Sequence, residues 1–99
     1  MLSVDEAKKI GIEHCINEIG YDFCKAHEDN GTSAWGERDG FVDCFVGVSP
    51  EPAPEYDIMR IERLELTSEN DWPFFARCDV YLEDGHIDLI ESRIPKGLI

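Results

Sequence analysis

The chain has 99 residues and a mass of 11.3 kDa, which allows one compact domain over 1–99 and excludes a two-lobed enzyme with an interdomain cleft. Its 22 Asp and Glu against 9 Lys and Arg give a formal net charge of −13 and a pI near 4.4, a field that repels nucleic-acid phosphates and anionic membranes. A hydrophobic fraction of 42% with 10% aromatics is that of a folded chain rather than a disordered one.

The acid is not gathered in a tail. Residues 1–50 carry 10 acids and 4 bases and residues 51–99 carry 12 and 5, so the charge belongs to the folded body. Met1-Leu2-Ser3-Val4-Asp5-Glu6 has neither a basic region nor an apolar run, so no targeting segment is expected and the cytoplasm is the expected compartment. No stretch reaches the roughly 18 apolar residues of a membrane span. Cys15, Cys24, Cys44 and Cys78 contain no CxxC spacing, and all four are expected as reduced thiols. Asn30-Gly31-Thr32 matches a glycosylation acceptor and is read as a turn.

The first element is a helix opened by Ser3-Val4-Asp5-Glu6, where Ser3 and Glu6 can satisfy each other's backbone amides. Val4, Ala7, Gly11, Ile12, Cys15, Ile16 and Ile19 fall on one half of its wheel and are expected to face a core. Gly20 is a natural stop, yet Phe23 and Ala26 keep the phase, which predicts a helix running through to about Ala26. After a polar loop, His27 to Thr32, the pattern changes to period 2. A short strand around Trp35 is expected to turn at Asp39-Gly40 into a strand over Phe41 to Val48, with Val42, Cys44, Val46 and Val48 on one face.

Pro50, Pro52 and Pro54 make Ser49 to Glu55 an extended connector. Ile58 to Leu66 reads as a strand with a bulge near Glu62-Arg63. Phe74 to Leu82 is the clearest strand and is placed centrally, because Phe74, Ala76, Cys78, Val80 and Leu82 alternate with Phe75, Arg77, Asp79 and Tyr81. Asp84-Gly85 predicts a type I′ hairpin pairing Leu82 with Ile87 and Val80 with Leu89, followed by a tail from Ser92 to Ile99. The sum is an α+β domain: one N-terminal helix packed on an antiparallel sheet of about four strands. This order of elements resembles small helix-on-sheet domains of the cystatin-like type, a likeness of fold that implies no activity.

No catalytic motif emerges, and the chain is expected not to be an enzyme. His14 and Cys15 are adjacent on the helix and point about 100° apart, a poor geometry for a Cys-His nucleophile. Cys24 and His27 share a metal-ligand spacing but are only two ligands, so neither a metal nor another cofactor is expected. The paired acids match no calcium-loop spacing, and no phosphate-cradling glycine loop is present.

The informative feature is the second face of the sheet. Phe41, Phe45, Phe75 and Tyr81 lie there among Asp43, Arg77, Asp79 and Asp88, and one helix can cover only the other face. Either the chain's own loops bury these aromatics, or a partner does. The leading expectation is an acidic, non-enzymatic protein-binding module, in the manner of immunity proteins or phosphate-mimicking inhibitors. Through Asp43, Phe75, Asp79, Tyr81 and Asp88 it would dock onto or neutralise a basic protein. The alternatives are a homodimeric accessory protein pairing through the same face, and a ligand-binding domain with a pocket between helix and sheet near His14, Cys24, His27 and Trp35.

Overall fold

The computed structural model describes residues 1–51 and 72–95. Helix α1, Val4–Ile19, begins with the expected capping box: the Glu6 amide donates to Ser3 Oγ at 3.1 Å and the Ser3 amide donates to Glu6 Oε1 at 3.3 Å. It does not run on to Ala26 as one piece. Gly20 takes φ +124°, a value side chains rarely adopt, and the chain restarts as α2, Tyr21–Ala26, followed by a 3₁₀ turn at Glu28–Asn30. The Gly20 amide still donates to the Ile16 carbonyl and the Gly20 carbonyl still accepts from Cys24, so hydrogen bonding continues on both sides of the bend.

Strands β1 (Gly31–Glu37), β2 (Phe41–Val48), β3 (Phe74–Tyr81) and β4 (Ile87–Arg93) form an antiparallel sheet in the order β1-β2-β3-β4. The β1–β2 hairpin turns at Asp39-Gly40 as expected, with the Arg38 amide donating to the Phe41 carbonyl at 2.8 Å and Gly40 at φ +86°. α1 lies across β2 and β3, and the alternating residues of both strands reach it. Ala7, Gly11, Cys15 and Ile19 of the helix are buried against Val42, Cys44, Val46, Val48, Ala76, Cys78 and Val80.

The contact is small against small. A Cβ on Gly11 would overlap the Cys44 thiol and come within 3.0 Å of Val80 Cγ2, so only glycine lets the helix settle this close. Three thiols fill the remaining volume as small hydrophobes. Cys15 Sγ lies 3.5 Å from Cys78 Sγ, and all four cysteines are free. Contact with the Cys15 thiol is the largest of the influences that push the Cys78 thiol up to about 12; contact with Cys78 and burial raise Cys44 further, and burial alone raises Cys24. These thiols stay protonated.

The β3–β4 hairpin differs from the expected one. Val80 pairs with Ile87 and Cys78 with Leu89, so the register is two residues from the expected Leu82–Ile87 pairing and the loop spans Leu82 to Gly85. Leu82 is otherwise engaged: its amide donates to the Gly40 carbonyl at 3.0 Å and its carbonyl accepts from the Leu2 amide at 2.8 Å. Gly85 still needs its φ of +75°. β4 carries a bulge at Ile90, between the Cys78–Leu89 and Arg77–Glu91 pairs, and it continues to Arg93 where a tail was expected from Ser92. The predicted strand over Ile58 to Leu66, most of the proline connector and the last four residues lie outside the described residues. Among the described residues no helix is long and apolar enough to cross a membrane.

Candidate functional site

The sheet face turned away from α1 is built from the alternate residues of β2 and β3, and it divides into two parts. At one end Phe45, Phe75 and Trp72 form a second buried cluster. Phe45 and Phe75 stack with centroids 6.0 Å apart, and Trp72 lies over Gly47, where an added Cβ would stand 2.7 Å from the indole Cγ. Arg93 closes the end, donating to the Trp72 carbonyl at 3.1 Å with its guanidinium 5.3 Å from the Phe75 ring centroid.

Phe75 is therefore 1% exposed and Phe45 3%, and the expectation of Phe75 as an exposed anchor is corrected: the chain's own Trp72 packs over it. The sequence signal for this was Gly47 inside an otherwise bulky strand, since a glycine there marks close approach of another group. The indole Nε1 is buried without a hydrogen-bond partner, an unfavourable term that the apolar contact offsets.

The other part of the face is acidic. Asp43, Asp79 and Asp88 are direct cross-strand partners on β2, β3 and β4, so three carboxylates form one row across the sheet. Strand spacing puts neighbours in such a row about 5 Å apart, where like charges oppose folding. Arg77 relieves one end, with Nε donating to Asp43 Oδ1 at 3.1 Å and Nη2 to Asp43 Oδ2 at 2.8 Å. Arg38 adds a weaker contact at 3.9 Å. Asp79 is left between two carboxylates, and its carboxyl is held above the ordinary range by burial first and by Asp43 next, against the lowering effect of Arg77. Asp88 is exposed.

An aromatic ledge borders the row. Tyr81 stacks on His86 with centroids 4.2 Å apart and meets Phe41 at 5.5 Å. His86 Nδ1 also lies 2.7 Å from Asp84 Oδ1, and the His86 amide donates to the same oxygen at 3.0 Å; these contacts, the amide first, hold Asp84 below the ordinary carboxyl range. On the far side a hollow of about 120 Å³ is lined by Trp35, Gly36, Arg38, Asp43, Phe45 and Arg77 with Ala34.

Of the five residues expected to meet a partner, Asp43, Asp79, Asp88 and Tyr81 come together on one surface, with Asp43 already bound to Arg77. Phe75 belongs to the core beneath it. Sequence reasoning missed Arg38, which reaches Asp43 only through the β1–β2 turn. Of the residues offered for a pocket between helix and sheet, Cys24 donates to the Ile16 carbonyl at 3.8 Å, the His27 ring packs 4.7 Å from that of Phe23, and the Trp35 ring lies under the Lys8 ammonium at 4.8 Å. Among the described residues no three His, Cys, Asp or Glu side chains stand close enough to hold a metal ion. No family model matches the chain, and no curated protein or solved structure is significantly similar to it.

Proposed function

We propose that the protein is a non-enzymatic binding module that docks the acidic part of its sheet onto a basic surface of another protein. The observation that carries this reading is the Asp43–Asp79–Asp88 row, in which Arg77 grips Asp43 and leaves Asp79 and Asp88 facing each other. A lysine or arginine laid between the last two would complete the row. It would also favour the ionised form of Asp79, so binding releases a proton and affinity rises with pH through the range in which free Asp79 titrates.

The carboxylates sit on strands, so little conformational entropy is lost on docking. Phe41, Tyr81 and His86 provide aromatic area at the border of the row, a composition suited to an interface with a polar rim. The net charge of −13 would speed encounter with a basic partner at low salt.

Retention from an extract of the producing cells tests the reading, with wild type and an Asp79→Asn, Asp88→Asn double variant as baits. A basic protein is expected on the wild type at low ionic strength, released by salt and lost from the variant. Retention of no basic protein, or equal retention by both baits, would overturn the proposal.

A further inference from the structure

Among the described residues β1 is an edge of the sheet, with its backbone paired on one side. The bonds that flank it fix which groups are used: the Ser49 amide donates to the Asn30 carbonyl at 3.1 Å and the Arg38 amide to the Phe41 carbonyl at 2.8 Å. Even-numbered residues of β1 therefore exchange hydrogen bonds with β2, and odd-numbered ones turn their backbone groups outward. Gly31 gives its amide to the Glu28 carbonyl of the 3₁₀ turn, which leaves Ser33 and Trp35 at the centre of the open edge. Both are exposed, Trp35 to 45%.

Sheets guard such edges with charge, proline or a bulge. The opposite edge, β4, has Asp88, Glu91, Arg93 and the bulge at Ile90. Residues 31–36 of β1 hold no charge and no proline in a chain that is 31% charged, and they pair with β2 in unbroken register. On the helix side a hollow of about 260 Å³ opens beside Ser33 with Ile12 and Ile16 in its lining, and past Ser33 it continues into one of about 380 Å³. The second hollow carries both signs, Lys8 and Lys9 standing with Asp5 and Glu13. Such a border selects neither an anion nor a cation. It suits an isologous contact, because a surface that meets its own image must supply both members of each ion pair.

We propose that β1 pairs antiparallel with β1 of a second copy about a two-fold axis at Ala34, joining the two sheets into one. This register sets Ser33 opposite Trp35 of the second copy, and both residues have outward backbone groups to exchange. An axis normal to the sheet leaves both helices on one side. Because α1 rests on β2 and β3, the two α1 helices would stand four strand spacings apart, about 19 Å. Helices about 11 Å across leave about 8 Å between them, which is room for the two Trp35 indoles, each beside the small Ser33 of the other copy. Lys8 travels with that ring, its Nζ 4.8 Å from the Trp35 centroid, and so arrives at the hollow beside Ser33 of the other copy, where Glu13 lines the wall. Within the chain neither Lys8 nor Glu13 has an ion pair. The contact is independent of the docking reading above, because β1 carries no member of the acidic row.

Sedimentation equilibrium of the full chain tests it, in about 0.15 M sodium chloride so that the like charge of two copies is screened beyond about 8 Å. A monomer–dimer equilibrium is expected, with hydrogen exchange at the Ser33 and Trp35 amides slowed in proportion to the dimer. Ser33→Pro removes an outward amide that β2 does not use, a change an edge strand tolerates. It should weaken the dimer at least about tenfold and leave the monomer folded. Lys8→Glu should weaken the dimer as well, and adding Glu13→Lys to that variant should restore it. A monomer at every concentration up to about 1 mM would overturn the proposal. So would a dimer indifferent to Ser33→Pro or to Lys8→Glu, a charge swap that fails to restore it, or exchange protection on β4 instead of β1.

Discussion

Asp79 must ionise between Asp43 and Asp88, with the Arg77 guanidinium drawn to Asp43. Its carboxyl is raised in the folded state, so between the ordinary carboxyl value and the raised one the folded protein holds more proton than the unfolded chain. The stability it contributes is present below that window and lost as pH rises through it. Removing the charge should reverse the loss. Asp79→Asn is expected to stabilise the protein at about pH 7 by a few tenths up to about 1 kcal/mol, the range for like charges directly opposed on a sheet. The gain should vanish at about pH 3, where the wild-type carboxyl is protonated as well. Urea unfolding at the two pH values checks this. A destabilised Asp79→Asn at neutral pH would mean that the carboxylate is well compensated, and the case for a missing cation would fail with it.

In the β3–β4 hairpin the alternation of Val80 and Leu82 with Ile87 and Leu89 identifies the two strands but not their register, because a shift of two residues keeps every side chain on its own face. The choice was made elsewhere, by Gly40 and Leu2, which take up the backbone groups of Leu82. The helix shows the same limit: Phe23 and Ala26 stay in phase beyond Gly20, and a one-residue bend that keeps hydrogen bonds on both sides leaves no mark on the period. Legible features were those set within a few residues, namely the Ser3–Glu6 box, the faces of β2 and β3, and Asp43, Asp79 and Asp88 in one phase. Hidden ones needed contacts far along the chain, as when Trp72 covers Gly47 and buries Phe75. Gly85 belongs to the legible set, and its φ of +75° holds whichever register is chosen. Gly85→Val is expected to cost about 1 kcal/mol or more, since a β-branched residue resists that region. The added Cβ also meets Leu2 Cδ1 at 3.2 Å. Gly85→Asn should cost less, because asparagine tolerates positive φ. Equal stability of the Val and wild-type proteins in thermal unfolding would sink the turn assignment.

The charge of −13 acts on stability and on association with opposite signs. Inside the fold the charge balance is mostly repulsive: among the described residues Arg77 and Arg38 share Asp43 and His86 meets Asp84, while Asp79 stands between Asp43 and Asp88. Self-repulsion of this kind destabilises the compact state and is weakened by salt, whose screening length falls from about 30 Å at 0.01 M to about 3 Å at 1 M. The unfolding free energy measured in urea should therefore rise with sodium chloride, by an amount on the order of 1 kcal/mol over that range. Urea is the denaturant for this test because guanidinium chloride would itself supply the screening. Docking onto a basic surface depends on attraction through the same solvent, so partner affinity should fall over the same interval. Rising stability with falling affinity separates a repulsive body from an attractive interface in one salt series. If stability fell instead, the Arg77–Asp43 and His86–Asp84 contacts would outweigh the unpaired acids, and the acidic face would no longer be held short of cations.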